Sequence, residues 1–254
     1  MVGTTILLLL LFLLLLGFIC LFTPQKPKNT PITEEVNDWE YQKEQARKES
    51  KAEQNKEWFK EGRWLTDKEI DWAVEKMSKE QQMPGSFPGQ ETPGRFKILP
   101  AHQFHLVREA QKWSKEEELF TYLLSELTDA TAELVFIPVN QPNFHWSLLV
   151  YEAKTKTFYH YDTLRGVNWN YVKDLVYELL KELEVPNHLT GQHFYARHKI
   201  RQNNGWECGV AILAIIRRIK EKYGGDMNNT ELGGLDFAKE REKLREKYLQ
   251  EINP

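Results

Sequence analysis

The sequence predicts an α+β domain, and three observations carry that expectation. Between residues 134 and 164, three short runs rich in Val, Leu, Phe and Tyr follow one another, separated by turn residues, as strands do. On either side the apolar residues recur at helical steps. The 254 residues include only two cysteines, Cys20 and Cys208. That excludes a disulfide-stapled scaffold and a Cys-rich zinc module, so the fold must rest on an apolar core.

In chain order, residues 6–22 are apolar but for Gly17 and Cys20. As a helix they would extend roughly 26 Å, close to the ~30 Å hydrocarbon core of a bilayer. A cleaved secretory signal fits less well, because no Lys or Arg precedes the run and no small-x-small site follows it. Residues 1–23 are therefore read as a single-span membrane anchor. Lys26 and Lys28 follow the span and place the C-terminal bulk in the cytosol. Pro24, Pro27 and Pro31 mark an extended spacer over 23–33, and residues 34–61 are dense in Glu, Lys, Gln and Arg. This second stretch reads as a solvated helical stalk or an unstructured linker. Together, 24–61 form the connection to the domain.

The compact domain is expected over 62–254. A helix is predicted over 67–77, with Ile70, Trp72 to Val74 and Met77 on its apolar side. Residues 81–95 carry three Pro–Gly pairs and read as a long surface loop. Another helix is expected over 113–127. Residues 134–140 (LVFIPVN), 145–152 (HWSLLVYE) and 157–164 (TFYHYDTL) are the three strands. Helical spacing returns over 169–183, and 192–198 is a short strand. Residues 207–222 form an apolar helix. Residues 236–252 form a charged amphipathic one with Asp236 as its cap, its acidic and basic pairs read as a solvated face. Net charge is −3, from 34 Lys+Arg and 37 Asp+Glu, so nothing global favours a nucleic-acid partner.

Cys208 opens the apolar helix, after the polar turn Asn203-Asn204-Gly205-Trp206. A helix N-terminus presents unpaired N–H groups and partial positive charge, and both stabilise a thiolate nucleophile. Such a nucleophile needs a base, and the base needs an orienting group. His145 starts one strand and Asp162 ends the next, 17 residues on. In an antiparallel hairpin turning near 153–157, the two lie opposite each other to within a residue or two. Gln202, six residues before Cys208, could donate its amide to an oxyanion together with the Cys208 N–H. His160 lies on the same strand face as Asp162 and is a rival base. His102 and His105 form an HxxH pair without a nearby Cys, and no metal site is assigned to them.

These residues, with Trp64-Leu65-Thr66-Asp67, Ile137-Pro138-Val139-Asn140, His145-Trp146-Ser147-Leu148, Tyr159-His160-Tyr161-Asp162-Thr163 and Gln202 through Gly209, resemble the ubiquitin-like-protein-specific (SUMO-type) cysteine proteases of the adenain-like superfamily. The resemblance implies a papain-like/adenain-like fold, with a central mixed sheet flanked by helices. It implies Cys208 as nucleophile, His145 as general base and acid, Asp162 as orienting carboxylate and Gln202 as oxyanion donor. Trp64 and Trp146 would roof a tunnel that admits a Gly-Gly tail, and Asp67 would contact the modifier. His145 is thereby preferred over His160. Thr66, Trp206 and Glu207 depart from the usual residues, Asn being common at the first position and Asp at the last.

The activity implied is cleavage after the C-terminal Gly-Gly of a ubiquitin-like modifier: SUMO first, ubiquitin or a related modifier next. No cofactor or metal is required, and the protein is taken as a monomer. Two other readings compete: an acetyl-CoA-dependent effector acyltransferase, and an inactive modifier-binding module at a membrane.

Overall fold

The computed structural model describes residues 57–79, 95–112, 116–197 and 199–252, all within the compact unit Gln54–Pro254. The apolar run 6–22, the spacer 23–33, most of the stretch 34–61 and nearly all of the loop 81–95 lie outside the described residues. Among the described residues, no helix is long and apolar enough to cross a membrane.

The elements are α1 (Asp67–Lys79), β1 (Phe96–Ile98), α2 (Gln103–Lys112), α3 (Glu116–Thr128), β2 (Leu134–Gln141), β3 (His145–Glu152), β4 (Thr157–Tyr161), α4 (Trp169–Glu182), β5 (Phe194–Arg197), α5 (Cys208–Lys222) and α6 (Phe237–Ile252). The sheet runs in the order β1-β2-β3-β4-β5. Its two outer pairings are parallel and its two inner ones antiparallel, so the sheet is mixed.

Both faces of the sheet are covered. Leu134, Phe136, Leu148, Val150, Tyr159 and Tyr161 join a core with α1, α5 and α6. Their alternates Val135, Ile137, Leu149, Tyr151 and Phe158 join a second core with α2, α3 and α4. β3 is consequently buried at every position, which is why its sequence reads as a continuous apolar run.

Two features correct the sequence expectation. The helix expected over 113–127 is α3, and a separate helix, α2, precedes it. Phe104, Val107 and Ala110 form the buried stripe of α2, a thin signal beside its many polar neighbours. The three-residue edge strand β1 was not expected. The packed body also reaches back before Gly62: Phe59 is fully buried, and Trp58 stacks on Tyr248 with ring centroids 4.8 Å apart.

Several polar devices set the ends of elements. Glu69 in the first turn of α1 accepts from Thr66 N at 2.7 Å and Thr66 Oγ1 at 3.0 Å, a capping arrangement worth about 0.5–2 kcal/mol. Its other oxygen accepts from Phe59 N, tying the entry segment to the helix. Asp236 caps α6 as expected, accepting from Lys239 N at 3.1 Å. At the end of the hairpin away from His145, buried Glu152 accepts from Tyr223 OH, Tyr159 OH, Met227 N and Thr155 Oγ1.

Candidate active site

The β3–β4 hairpin builds the first half of the site. Its register pairs Leu148 with Tyr161, one step before Asp162, so the carboxylate leaves the sheet beside Ser147, two residues from His145. His145 Nε2 and Asp162 Oδ1 lie 2.9 Å apart, both side chains fully buried. Asp162 Oδ1 also accepts from Leu164 N at 2.8 Å, and Oδ2 accepts from Asn168 N at 2.8 Å. Burial pushes this carboxyl up. The His145 hydrogen bond, the Asn168 N–H, the imidazole charge and the Leu164 N–H outweigh it and hold the pKa at about 2.

His145 shifts the other way. Burial disfavours its charged form, but the hydrogen bond to Asp162, then Cys208 as hydrogen-bonding partner, then the charges of both raise its pKa to about 9. Nδ1 is the ring nitrogen left for the thiol. It is buried and unpaired, and Cys208 is the neighbour besides Asp162 that raises the pKa of the ring.

Cys208 is the first residue of α5 and is buried. The N-cap, Glu207, makes no side-chain cap bond, so the helix start keeps donors for a negative charge. The turn before it is braced from within. Asn204 Oδ1 accepts from Trp206 N at 3.2 Å and Glu207 N at 3.1 Å. Gln202 Nε2 donates to Asn204 O at 2.7 Å, and Gln202 Oε1 accepts from Thr163 Oγ1 at 2.5 Å. Gln202 thus bridges the residue after Asp162 and the turn that carries Cys208. One of its two amide protons is engaged and one remains for a ligand.

The segment Trp64-Leu65-Thr66-Asp67 closes against both parts. Trp146 Nε1 donates to Leu65 O at 2.9 Å, and Asn140 Nδ2 donates to Asp67 Oδ1 at 2.7 Å. Trp146 is buried in the α5-side core, whereas Trp64 is 43% exposed. Leu65 lies directly on the first turn of α5: a Cβ at Gly209 would stand 2.9 Å from Leu65 Cβ and 3.1 Å from its Cγ. Both groups are stiffly held, so Gly209→Ala is expected to destabilise the domain by about 1–3 kcal/mol. At about 2–4 °C per kcal/mol for this size, a thermal melt should fall by roughly 2–12 °C. An unchanged midpoint would mean that the entry segment moves freely off α5.

Other sequence candidates separate from this cluster. His160 is buried farther along β4, paired with Leu149, with the Trp169 and Phe194 rings 6.2 and 6.4 Å away. His105 Nδ1 sits 3.1 Å from Tyr171 OH, and His102 Nδ1 3.9 Å from Asp71 Oδ2. Among the described residues, no group of three or more His, Cys, Asp or Glu could hold a metal ion.

Asn168 was missed by the sequence reading. It occupies the N-cap of α4, yet its side chain makes no cap bond there. It donates instead to Ser147 Oγ at 3.0 Å and to His145 O at 3.4 Å, while its N–H holds Asp162. An Asn immediately before a helical run is a recognisable cap signal; its turn toward the hairpin depends on tertiary contact.

The model of the Ulp1 protease family C-terminal catalytic domain matches residues 63–252. Over 113 residues, 39% of this chain and 47% of the relative, the sequence is 35% identical to NEDD8-specific protease 1 of Arabidopsis thaliana. It is 27% identical over 114 residues, 41% of this chain and 47% of the relative, to a probable sentrin-specific protease 8 of Dictyostelium discoideum. These matches span about half the length of those relatives. Among solved structures, the SUMO protease Ulp1 with its catalytic cysteine oxidised to a sulfenic acid aligns with TM-score 0.52 and 18% identity, over 76% of this chain and 80% of that one. The Xanthomonas campestris effector XopD, bound to ubiquitin, aligns with TM-score 0.52 and 20% identity, over 74% and 91%. At these identities the structural likeness speaks for the fold. With the family model matched from residue 63 to residue 252, the chain belongs to the Ulp1 protease family of cysteine proteases.

Proposed function

We propose that this protein cleaves peptide or isopeptide bonds after the C-terminal Gly-Gly of a ubiquitin-like modifier, with Cys208 as nucleophile. The observation that carries the reading is the buried His145–Asp162 pair, 2.9 Å apart, whose ring is kept protonated to about pH 9 beside a thiol at an uncapped helix start. An imidazolium at that position holds the proton that the leaving amine needs.

The thiolate attacks the terminal glycine carbonyl, forming a C–S bond and an oxyanion. Gln202 and the Cys208 N–H donate to that oxyanion. Imidazolium His145 passes its proton to the leaving amine as the C–N bond breaks. His145 then takes a proton from water, whose oxygen attacks the thioester, and the thiolate departs. Trp64 and Trp146 exclude side chains at the scissile end, and Asp67 contacts the modifier. Relatives named NEDD8-specific and sentrin-specific support this substrate class. The apolar run 6–22 and the following lysines support membrane attachment with the catalytic unit facing the cytosol.

Incubating the full chain with SUMO, NEDD8 and ubiquitin carrying a C-terminal electrophile tests this. A covalent adduct on Cys208 with at least one modifier is the expected result, located by mass spectrometry. No adduct from a folded protein would end the reading.

A further inference from the structure

Arg241 departs from the solvated face expected of α6. It is only 4% exposed. Its Nη1 donates to Lys60 O at 3.1 Å and its Nη2 to Trp206 O at 3.0 Å. Both acceptors are main-chain carbonyls from segments far apart in sequence. Nε is buried with no hydrogen-bond partner. Taking a guanidinium out of water is unfavourable unless other groups compensate. Burial accordingly lowers its pKa, while the charges of Glu207, Glu69, Cys208 and Glu61 act to keep it protonated.

The second bond matters because of the peptide it holds. The Trp206–Glu207 peptide unit lies immediately before the Glu207–Cys208 unit, whose N–H belongs to Cys208 itself. Its carbonyl is held by Arg241, and its N–H is held by Asn204 Oδ1 at 3.1 Å. Gripped at both ends, this plane cannot rotate, and the direction in which the chain enters α5 is set. A planar guanidinium can reach two carbonyls at once, whereas a lysine ammonium acts as a single mobile point charge.

We infer that Arg241 is a positioning residue: it locks the peptide plane ahead of Cys208 and keeps a fixed positive charge behind the nucleophile. The inference rests on the proposed role of Cys208.

The full chain is compared as wild type, Arg241→Lys, Arg241→Met and Leu244→Ala, the last removing core contacts from the same helix. Thermal midpoints, kcat and KM per folded molecule, and hydrogen exchange of the Glu207 and Cys208 amides are measured below the lowest midpoint. Leu244→Ala should lower the midpoint but leave kcat and the two exchange rates near wild type. Arg241→Met should lower kcat about 10-fold with KM within about 2-fold and speed both exchange rates, and Arg241→Lys should fall between. The inference is overturned if the two Arg241 variants lose no more kcat than Leu244→Ala and exchange at its rate. Failure of both Arg241 variants to fold would also overturn it, by assigning the residue to the fold alone. If wild type cleaves no modifier, the proposed function fails, and the exchange rates still decide whether Arg241 locks the turn.

Discussion

Cys208→Ala is expected to lower turnover of a Gly-Gly-terminated modifier substrate by on the order of 10⁶-fold, because the members of such a site act as a unit and losing the nucleophile removes the covalent route. The fold should survive. Residue 208 is buried, and deleting one sulfur from a packed site costs about 1 kcal/mol. Modifier binding should persist in a competition assay, since Trp64, Trp146 and Asp67 are untouched. Cys208→Ser should be nearly as inactive. The Asp162 hydrogen bond and charge remain in this variant and hold the His145 pKa up, so a protonated ring has no free electron pair to deprotonate a serine hydroxyl. Initial rates on a fluorogenic modifier substrate check both. A serine variant within about 100-fold of wild type would mean that the ring rests neutral and that the ion-pair description of the site is wrong.

The parts of the fold that could be read from sequence are those whose signal is long or doubled. The strands around β3 are dense apolar runs, and α5 is apolar on nearly every side because it packs on a sheet face with α1 and α6 beyond it. The His145–Asp162 pairing followed from hairpin arithmetic alone, which needs only an antiparallel turn and a count of residues. What stayed hidden is short or inverts the usual rule. β1 has three residues, too few for a period. Glu69, Glu152 and Arg241 are charged yet buried, against the composition prior, and only their partners explain why. Two donors on Asp162 are backbone N–H groups, from Leu164 and Asn168, whose aim no residue type announces. Gln202 is singled out by its place before Cys208 together with the family resemblance, but its bond to Thr163, which joins the two halves of the site, needed the fold.

Asp162→Asn is expected to lower kcat by about 10²–10⁴-fold, several orders less than loss of Cys208 if the carboxylate serves the ring. The geometry gives the reason. Oδ1 accepts from both His145 and Leu164, so in an asparagine that atom would stay oxygen. The new NH₂ then faces the Asn168 N–H across 2.8 Å, donor against donor. The ring loses its charge partner and the Asn168 amide loses its acceptor. The stability consequence has a definite sign. Asp162 is depressed from 3.8 to about 2, so its contribution is present above about pH 4 and lost as pH falls through 2. That shift corresponds to about 2–3 kcal/mol. His145 is raised from 6.5 to about 9, so its share is full below pH 6.5 and lost as pH rises through 9. Both describe one interaction and are not to be added. For catalysis, wild-type kcat/KM should fall on an alkaline limb near pH 9, where the imidazolium gives up the proton needed by the leaving amine. In Asp162→Asn that limb should move toward pH 6.5. The pH–rate profile separates the two roles open to this carboxylate: a variant that is folded but as dead as Cys208→Ala, with no displaced limb, would make Asp162 a support of the hairpin end and not the group that tunes the ring.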